Sequence, residues 1–117
     1  MKVLLVDDEE ELVTALAERL SFRGIDADWS TSGRQALELA RSHAYDIAVL
    51  DVKMPNISGI ELKKMMEKVR PDMKYIFLTG HGSEEDFRTG SIEASHYLVK
   101  PLEIESLIDT MRQVVDP

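Results

Sequence analysis

The sequence contains no cysteine, which excludes two kinds of site. No disulfide can cross-link the chain, and no thiolate can bind a metal ion. A cysteine-free sequence fits a reducing compartment, so we expect a cytoplasmic protein. Repeats, linkers and low-complexity segments are also missing, and 117 residues can bury one hydrophobic core but not two. We therefore expect one domain over residues 1–117.

Basic residues and long hydrophobic runs are scarce. The 14 Lys and Arg residues face 22 Asp and Glu residues, which gives a formal net charge of −8. Because binding to a phosphate backbone needs clustered Lys and Arg, and none occurs, we expect no direct contact with nucleic acid. The apolar run near the N-terminus is too short for a signal peptide, and no run approaches the length of a membrane span. We expect no membrane contact.

Short apolar runs alternate with helical patterns along the chain. Five runs are candidate strands: residues 3–6, 25–29, 47–50, 75–78 and 97–99. Runs 3–6, 47–50 and 75–78 are continuously apolar, as is typical of strands buried on both faces. Run 25–29 alternates apolar and acidic residues, which indicates a half-exposed strand at the edge of a sheet.

Helical patterns separate these strands. Ser32 with Gln35, and Ser58 with Glu61, are candidate capping boxes at helix starts. Strands separated by helices predict a parallel sheet with helices on both faces. The strand order 2-1-3-4-5 puts the alternating strand at an edge and the continuous runs inside. We therefore predict an α/β fold with five parallel strands in this order.

Charged and hydroxyl side chains leave one edge of this predicted sheet. Asp7 and Asp8 follow strand 1, Asp51 follows strand 3, Thr79 ends strand 4, and Lys100 follows strand 5. Strands 1 and 3 are neighbours at the switch point of this topology, where ligands bind. Two charges 4 Å apart repel by about 4 kcal/mol at an effective dielectric constant near 20. Converging carboxylates must therefore take up protons or bind cations.

Two interpretations of the acids in residues 7–11 remain open at this point. Carboxylates in the first turn of a helix are favoured by the macrodipole, by about 0.3–1 kcal/mol each. This explains Asp8 or Glu9 but not Asp51, which no helix follows directly. The other interpretation is a cation site, since a divalent ion and Lys100 would together cancel three carboxylates. Oxygen ligands with room for water suit Mg²⁺.

Four motifs resemble those of one family. VDDEE follows strand 1, VLDVKMPNISGIEL surrounds strand 3, FLTGHGS lies at strand 4 and YLVKP at strand 5. In this order and spacing the chain resembles, over essentially all of its length, a response-regulator receiver domain of two-component phosphorelay signalling. The family is CheY-like, with the flavodoxin-like strand order already predicted from the pattern.

The resemblance implies a phosphoacceptor switch that catalyses its own phosphorylation and dephosphorylation without turning over an external substrate. Asp51 is the implied phosphoacceptor, which receives its phosphoryl group from a phosphohistidine of a sensor histidine kinase or a phosphotransfer protein. Thr79 and Lys100 are implied to contact the phosphoryl oxygens. The peptide bond between Lys100 and Pro101 is implied to be cis.

The cofactor that the resemblance implies is Mg²⁺. Its implied ligands are Asp8 directly, Asp7 mainly through water, Asp51, and the backbone carbonyl of Lys53. The side chains of Lys53 and His81 lie where the family controls the path of attacking water, and hence the lifetime of the phosphoryl group.

The resemblance also implies an output surface. Tyr97 matches the family's switching aromatic, which turns inward as Thr79 moves toward the phosphoryl group. The face made by the fourth predicted helix, strand 5 and the last helix would then change shape, to bind an effector domain or partner or to form a phosphorylation-linked homodimer. A glycine at Gly90, with Glu93 where the family has glycine, predicts a short or irregular fourth helix.

Two other classes are compatible with the same residues. A pseudo-receiver would keep the fold as an interaction module without being phosphorylated. A metal-dependent hydrolase with an aspartyl nucleophile would use a second acid two residues beyond it, where this chain has Lys53. The chain is either a standalone regulator or a piece of a larger regulator or hybrid kinase.

Overall fold

The computed structural model describes residues 1–80 and 96–116. The strands are β1 (Lys2–Val6), β2 (Asp26–Ser30), β3 (Ile47–Asp51), β4 (Lys74–Thr79) and β5 (Tyr97–Val99). The helices are α1 (Glu10–Ser21), α2 (Gly33–Ser42), α3 (Gly59–Val69) and α4 (Ile104–Val115). The strands form one parallel sheet in the order β2-β1-β3-β4-β5. The predicted fold class and strand order are confirmed.

Helices cover both faces of the sheet. Side chains of successive strand residues point to opposite faces, so a strand covered on both sides is apolar throughout. Val3 and Leu5 of β1 pack into a core with α1 and α4, whereas Leu4 and Val6 pack into a second core with α2 and α3. The continuously apolar runs predicted as interior strands follow from this two-sided burial.

One edge of the sheet is β2, as its alternating sequence predicted. Trp29 of β2 is exposed, whereas Asp28 is partly buried. The Asp28 carboxylate is not simply solvated, because it has a protein partner. Its Oδ2 accepts a hydrogen bond of 2.6 Å from the Tyr45 hydroxyl, which lies just before β3.

Two predicted helix starts are present, with a different side-chain pattern from a full capping box. The Ser32 hydroxyl accepts from Gln35 N at 3.1 Å, and the Ser58 hydroxyl accepts from Glu61 N at 3.2 Å. In a full box the second side chain returns to the cap N–H. Here the Gln35 side chain accepts from Ser30, and the Glu61 carboxylate accepts from the Ser58 hydroxyl.

The pairing register of the strands brings the candidate site residues to one edge of the sheet. Val6 pairs with Leu50, Asp51 pairs with Leu78, and Thr79 pairs with Val99. The residues at and just beyond these pairs therefore share the carboxyl edge of the sheet, as the strand order predicted.

The predicted fourth helix, with its irregularity near Gly90, lies outside the described residues, as does His81. Among the described helices, none combines the length and the apolar character needed to cross a membrane.

Candidate functional site

Asp51 is the last residue of β3, and its side chain is buried. The chain turns directly after it, and Gly59 at the start of α3 packs against its backbone. A Cβ at Gly59 would overlap the backbone oxygen of Asp51, so this close approach requires glycine. The loop from Val52 to Gly59 is closed by a 3.0 Å hydrogen bond from Gly59 N to Val52 O. These contacts fix where the carboxylate leaves the sheet.

Asp7 is fully buried one residue beyond β1. Its Oδ1 accepts from Glu9 N at 3.0 Å, so it satisfies one of the unpaired N–H groups at the start of α1. The sequence analysis offered Asp8 or Glu9 as the acid at this helix start, but the side chain that accepts a hydrogen bond there is that of Asp7. The N-cap residue is Glu9, whose side chain makes no cap hydrogen bond. Asp8 is exposed.

Lys100 lies at the centre of the acids. Its Nζ is 2.6 Å from Asp7 Oδ2, 3.3 Å from Glu9 Oε1 and 3.5 Å from Asp51 Oδ1. Its backbone N donates to Thr79 O at 2.8 Å, which holds the end of β5 beside β4. The peptide bond to Pro101 is cis, as the resemblance implied. One ammonium thus contacts three carboxylates.

Burial and neighbouring charges shift the pKa values of Asp51, Asp7 and Lys100. Burial, followed by the charge of Asp7, raises the pKa of Asp51 from 3.8 to about 7, although Lys100 opposes the shift. Burial also raises the pKa of Asp7, against the hydrogen bond and charge of Lys100. Burial alone would lower the pKa of Lys100, but the contacts with Asp7 and the other acids outweigh it and raise the value. The single ammonium does not compensate the buried acids.

The donor set fits a hard cation. Asp7, Asp8 and Asp51 each offer a carboxylate oxygen, and the three oxygens lie within 4.8 Å of one another. Apart from the charge contact with Lys100, Asp7 Oδ2 is buried without a hydrogen-bond donor among the described residues. Oxygen ligands of this kind suit a hard divalent cation. This cluster of acids could therefore hold a metal ion.

The acids open onto a cleft of about 750 Å³. Its lining includes Asp8, Asp51, Lys53 and Lys100, and it is bounded on the α1 side by Leu12. Lys53, predicted as a carbonyl ligand and as a controller of water access, thus lies at the same opening as the acids.

The two predicted switch residues lie on neighbouring strands. Thr79 is fully buried, and its hydroxyl donates to Leu98 O of β5 at 3.4 Å. Tyr97 begins β5 with half of its surface exposed (49%). Thr79 therefore ends the strand next to that of Asp51, at the same edge of the sheet, whereas Tyr97 lies two residues further from this edge.

Sequence reasoning missed one member of the site. Glu9 was interpreted only as an acid at a helix start, yet its carboxylate is the second closest to the Lys100 ammonium. The run of five acids in residues 7–11 signalled excess charge, but spacing alone does not tell which side chain turns toward Lys100.

A sequence model of the response regulator receiver domain matches residues 3–112. The chain belongs to this family. It is 33% identical over 116 residues to the response regulator MprA of Mycolicibacterium vanbaalenii, covering 98% of this chain and 50% of that protein. The chain spans about half the length of the curated relatives it matches.

Solved structures agree with this receiver fold. The chemotaxis protein CheY4 of Vibrio cholerae superposes with a TM-score of 0.86 at 30% identity, covering 97% of each chain. A response regulator protein from Burkholderia pseudomallei, with a phosphorylated aspartic acid, a calcium ion and citrate, gives a TM-score of 0.82 at 28% identity, covering 94% of this chain and 65% of that one. The receiver domain is a component of two-component systems.

Proposed function

We propose that this receiver domain is a phosphoacceptor switch in which Asp51 takes a phosphoryl group from a phosphohistidine of a sensor histidine kinase or phosphotransfer protein. One observation carries the proposal: Asp51 ends a central strand within reach of the Lys100 ammonium and beside the carboxylate oxygens of Asp7 and Asp8. The domain acts on itself and on its phosphodonor, with no external substrate turned over.

In the transfer, a carboxylate oxygen of Asp51 attacks phosphorus. The P–O bond forms while the P–N bond breaks, and the electron pair of that bond returns to the imidazole of the donor. Phosphoryl transfer leaves the protein mainly to position groups and stabilise charge. Lys100 neutralises part of the charge on the transferred group, and the Thr79 hydroxyl exchanges its backbone acceptor on β5 for a phosphoryl oxygen.

Mg²⁺ is the proposed cofactor, and when bound it supplies positive charge that the three acids and the phosphoryl oxygens need. Asp7, Asp8 and Asp51 would hold it, together with the backbone carbonyl of Lys53. The phosphorylated aspartic acid and calcium ion in the neighbour from Burkholderia pseudomallei support a divalent cation beside a phosphorylated acid in this fold.

The proposed readout is a change in surface. As Thr79 moves toward the phosphoryl group, Tyr97 turns inward and changes the face around β5 and α4. That face would bind an effector domain, a partner protein or a second copy of the chain. Relatives about twice as long, one of them named a transcriptional regulatory protein, support an effector domain as one such partner.

The lifetime of the phosphoryl group is assigned to two side chains. Lys53, at the mouth of the cleft, would shield the phosphoryl oxygens from water, and His81 would flank the same path. The cytoplasmic location and the single-domain organisation of residues 1–117 stay predictions from the sequence.

The proposal is tested by intact mass after incubation with acetyl phosphate and Mg²⁺, for the parent and Asp51→Asn. A single phosphoryl adduct on the parent, dependent on Mg²⁺ and absent from the variant, is expected. Binding of Mg²⁺ and transfer from a partner kinase are measured alongside. Failure of all three would overturn the proposal in favour of a pseudo-receiver, and turnover of a stable phosphomonoester would indicate a hydrolase instead.

A further inference from the structure

Glu9 contacts the ammonium of Lys100 from the solvent side of the site. It is the N-cap residue of α1, its side chain is 64% exposed, and its Oε1 lies 3.3 Å from Lys100 Nζ. Asp51 is the most distant of the three carboxylates around this ammonium, at 3.5 Å. A charge-assisted N–H···O bond is usually about 2.7–2.9 Å long, so the contact with Asp51 is a weak one.

We propose that Glu9 is a positioning residue, which draws the Lys100 ammonium away from Asp51 in the unphosphorylated protein and competes with the phosphoryl group for it. This inference rests on the proposed function, because the competition exists only if Asp51 is phosphorylated. In this role Glu9 acts through Lys100 and not directly on the reacting atoms.

The competition follows from the number of donors. An ammonium carries three N–H donors, and three carboxylates surround this one. Phosphorylation replaces the single charge of Asp51 with roughly two charges and adds strong acceptors, so the phosphoryl group attracts the ammonium more strongly than Asp51 does. Because all three donors already face carboxylates, a second donor for the phosphoryl group is one that another carboxylate gives up.

Burial decides which carboxylate is released. Asp7 is fully buried, and a buried charge that loses its partner is strongly destabilised. Glu9 is exposed, so its carboxylate is hydrated again when it separates from Lys100. Exposed ion pairs contribute little to stability, so this separation costs little free energy. The Glu9 contact is therefore the one exchanged for the phosphoryl group, and its loss is part of the free energy of phosphorylation.

The first test compares Glu9→Gln with Glu10→Gln in the full chain. Both changes remove one charge from neighbouring exposed acids at the start of α1, but only Glu9 lies within 4.0 Å of Lys100 Nζ. With Mg²⁺ and phosphoramidate as the donor, we expect Glu9→Gln to be phosphorylated about two- to fivefold faster than the parent, the range for an exposed ion pair. Beryllofluoride, a phosphoryl mimic, should bind tighter by a similar factor, whereas Glu10→Gln should match the parent.

Glu9→Asp separates contact from charge. It keeps the negative charge but shortens the side chain by one methylene, so it should behave like Glu9→Gln if the contact matters. Equal rates for the Glu9→Gln and Glu10→Gln variants, or parental rates for Glu9→Asp, would overturn the inference in favour of general repulsion of the donor. A parent that neither forms an adduct nor binds beryllofluoride would instead overturn the proposed function, and this role of Glu9 with it.

Discussion

Two groups of acids in this chain differ in how their negative charge is compensated. At the carboxyl edge, oxygens of Asp7, Asp8 and Asp51 lie within 4.8 Å of one another, and Asp7 and Asp51 share the Lys100 ammonium. At the flank of β2 and the start of β3, Asp28 and Asp46 each have a neutral donor of their own. Asp28 Oδ2 accepts from the Tyr45 hydroxyl at 2.6 Å, and Asp46 Oδ2 accepts from Lys2 N at 2.7 Å.

We call this second group, made of Lys2, Asp28, Tyr45 and Asp46, the Tyr45 cluster. Lys2 Nζ also lies 5.6 Å from the centre of the Tyr45 ring, a cation–π contact. Burial and the hydrogen bond to Asp28 raise the pKa of Tyr45, so its hydroxyl remains a donor at any ordinary pH. Each acid of the cluster is satisfied without a cation from solution.

The difference indicates which acids carry negative charge that the fold leaves uncompensated. In the Tyr45 cluster each acid accepts a hydrogen bond from a neutral donor, and these bonds tie β1, β2 and the start of β3 together. At the carboxyl edge the acids outnumber the positive charges, and burial, followed by the charge of Asp7, raises the pKa of Asp51 to about 7. Perturbed pKa values of this kind concentrate at functional sites, because reactivity needs charge that the fold leaves uncompensated.

Removing the Asp51 charge should have the largest effect. The folded-state pKa near 7 exceeds the ordinary value of 3.8, so folding binds a proton between these limits and stability falls as pH rises through this window. The Asp51→Asn variant has no carboxyl group at this position, so it does not lose stability in this way as pH rises. Without divalent ions at pH 8, we expect the variant to be more stable than the parent by roughly 1–4 kcal/mol, measured by urea unfolding.

The pH dependence separates charge from packing in this experiment. The advantage of Asp51→Asn should shrink as pH falls toward 4, because the folded-state carboxyl of the parent is then protonated and as uncharged as the amide. A difference that stayed constant between pH 4 and 8 would mean that the amide simply packs better, and the contrast with the Tyr45 cluster would lose its electrostatic basis.

The sequence predicted the fold and the main acids because both follow from pattern. Continuous apolar runs indicate burial on both faces and an alternating run indicates an edge, and the strand order 2-1-3-4-5 agrees with both. Asp7, Asp51 and Lys100 follow strands, so the topology alone brings them together. Glu9 and Tyr45 were missed because their roles depend on which way a side chain turns, and no periodicity records that direction.

Bound Mg²⁺ should reduce the difference between the acids at the carboxyl edge and those of the Tyr45 cluster, because it supplies the positive charge that the former lack. At about tenfold above its Kd, a ligand that binds only the folded state adds about 1.4 kcal/mol of stability. We expect this increase in the parent, measured by thermal unfolding with and without Mg²⁺. Asp8→Asn is the matched variant, because Asp8 is exposed and its change should leave stability without Mg²⁺ almost unaltered while weakening the response. An undiminished response in Asp8→Asn would remove this residue from the ligand set.

The smallest effect is expected in the Tyr45 cluster, where Tyr45→Phe removes one hydrogen-bond donor. Because Asp28 is only partly buried and can take up water, we expect a loss of about 1 kcal/mol in the free energy of unfolding. Asp28→Asn keeps an acceptor oxygen for the hydroxyl and should cost less. Neither variant should alter the stabilisation by Mg²⁺, because the cluster shares no residue with the three acids of the site. A changed Mg²⁺ response in Tyr45→Phe would show that the two groups of acids are coupled through β1 and β3, rather than independent.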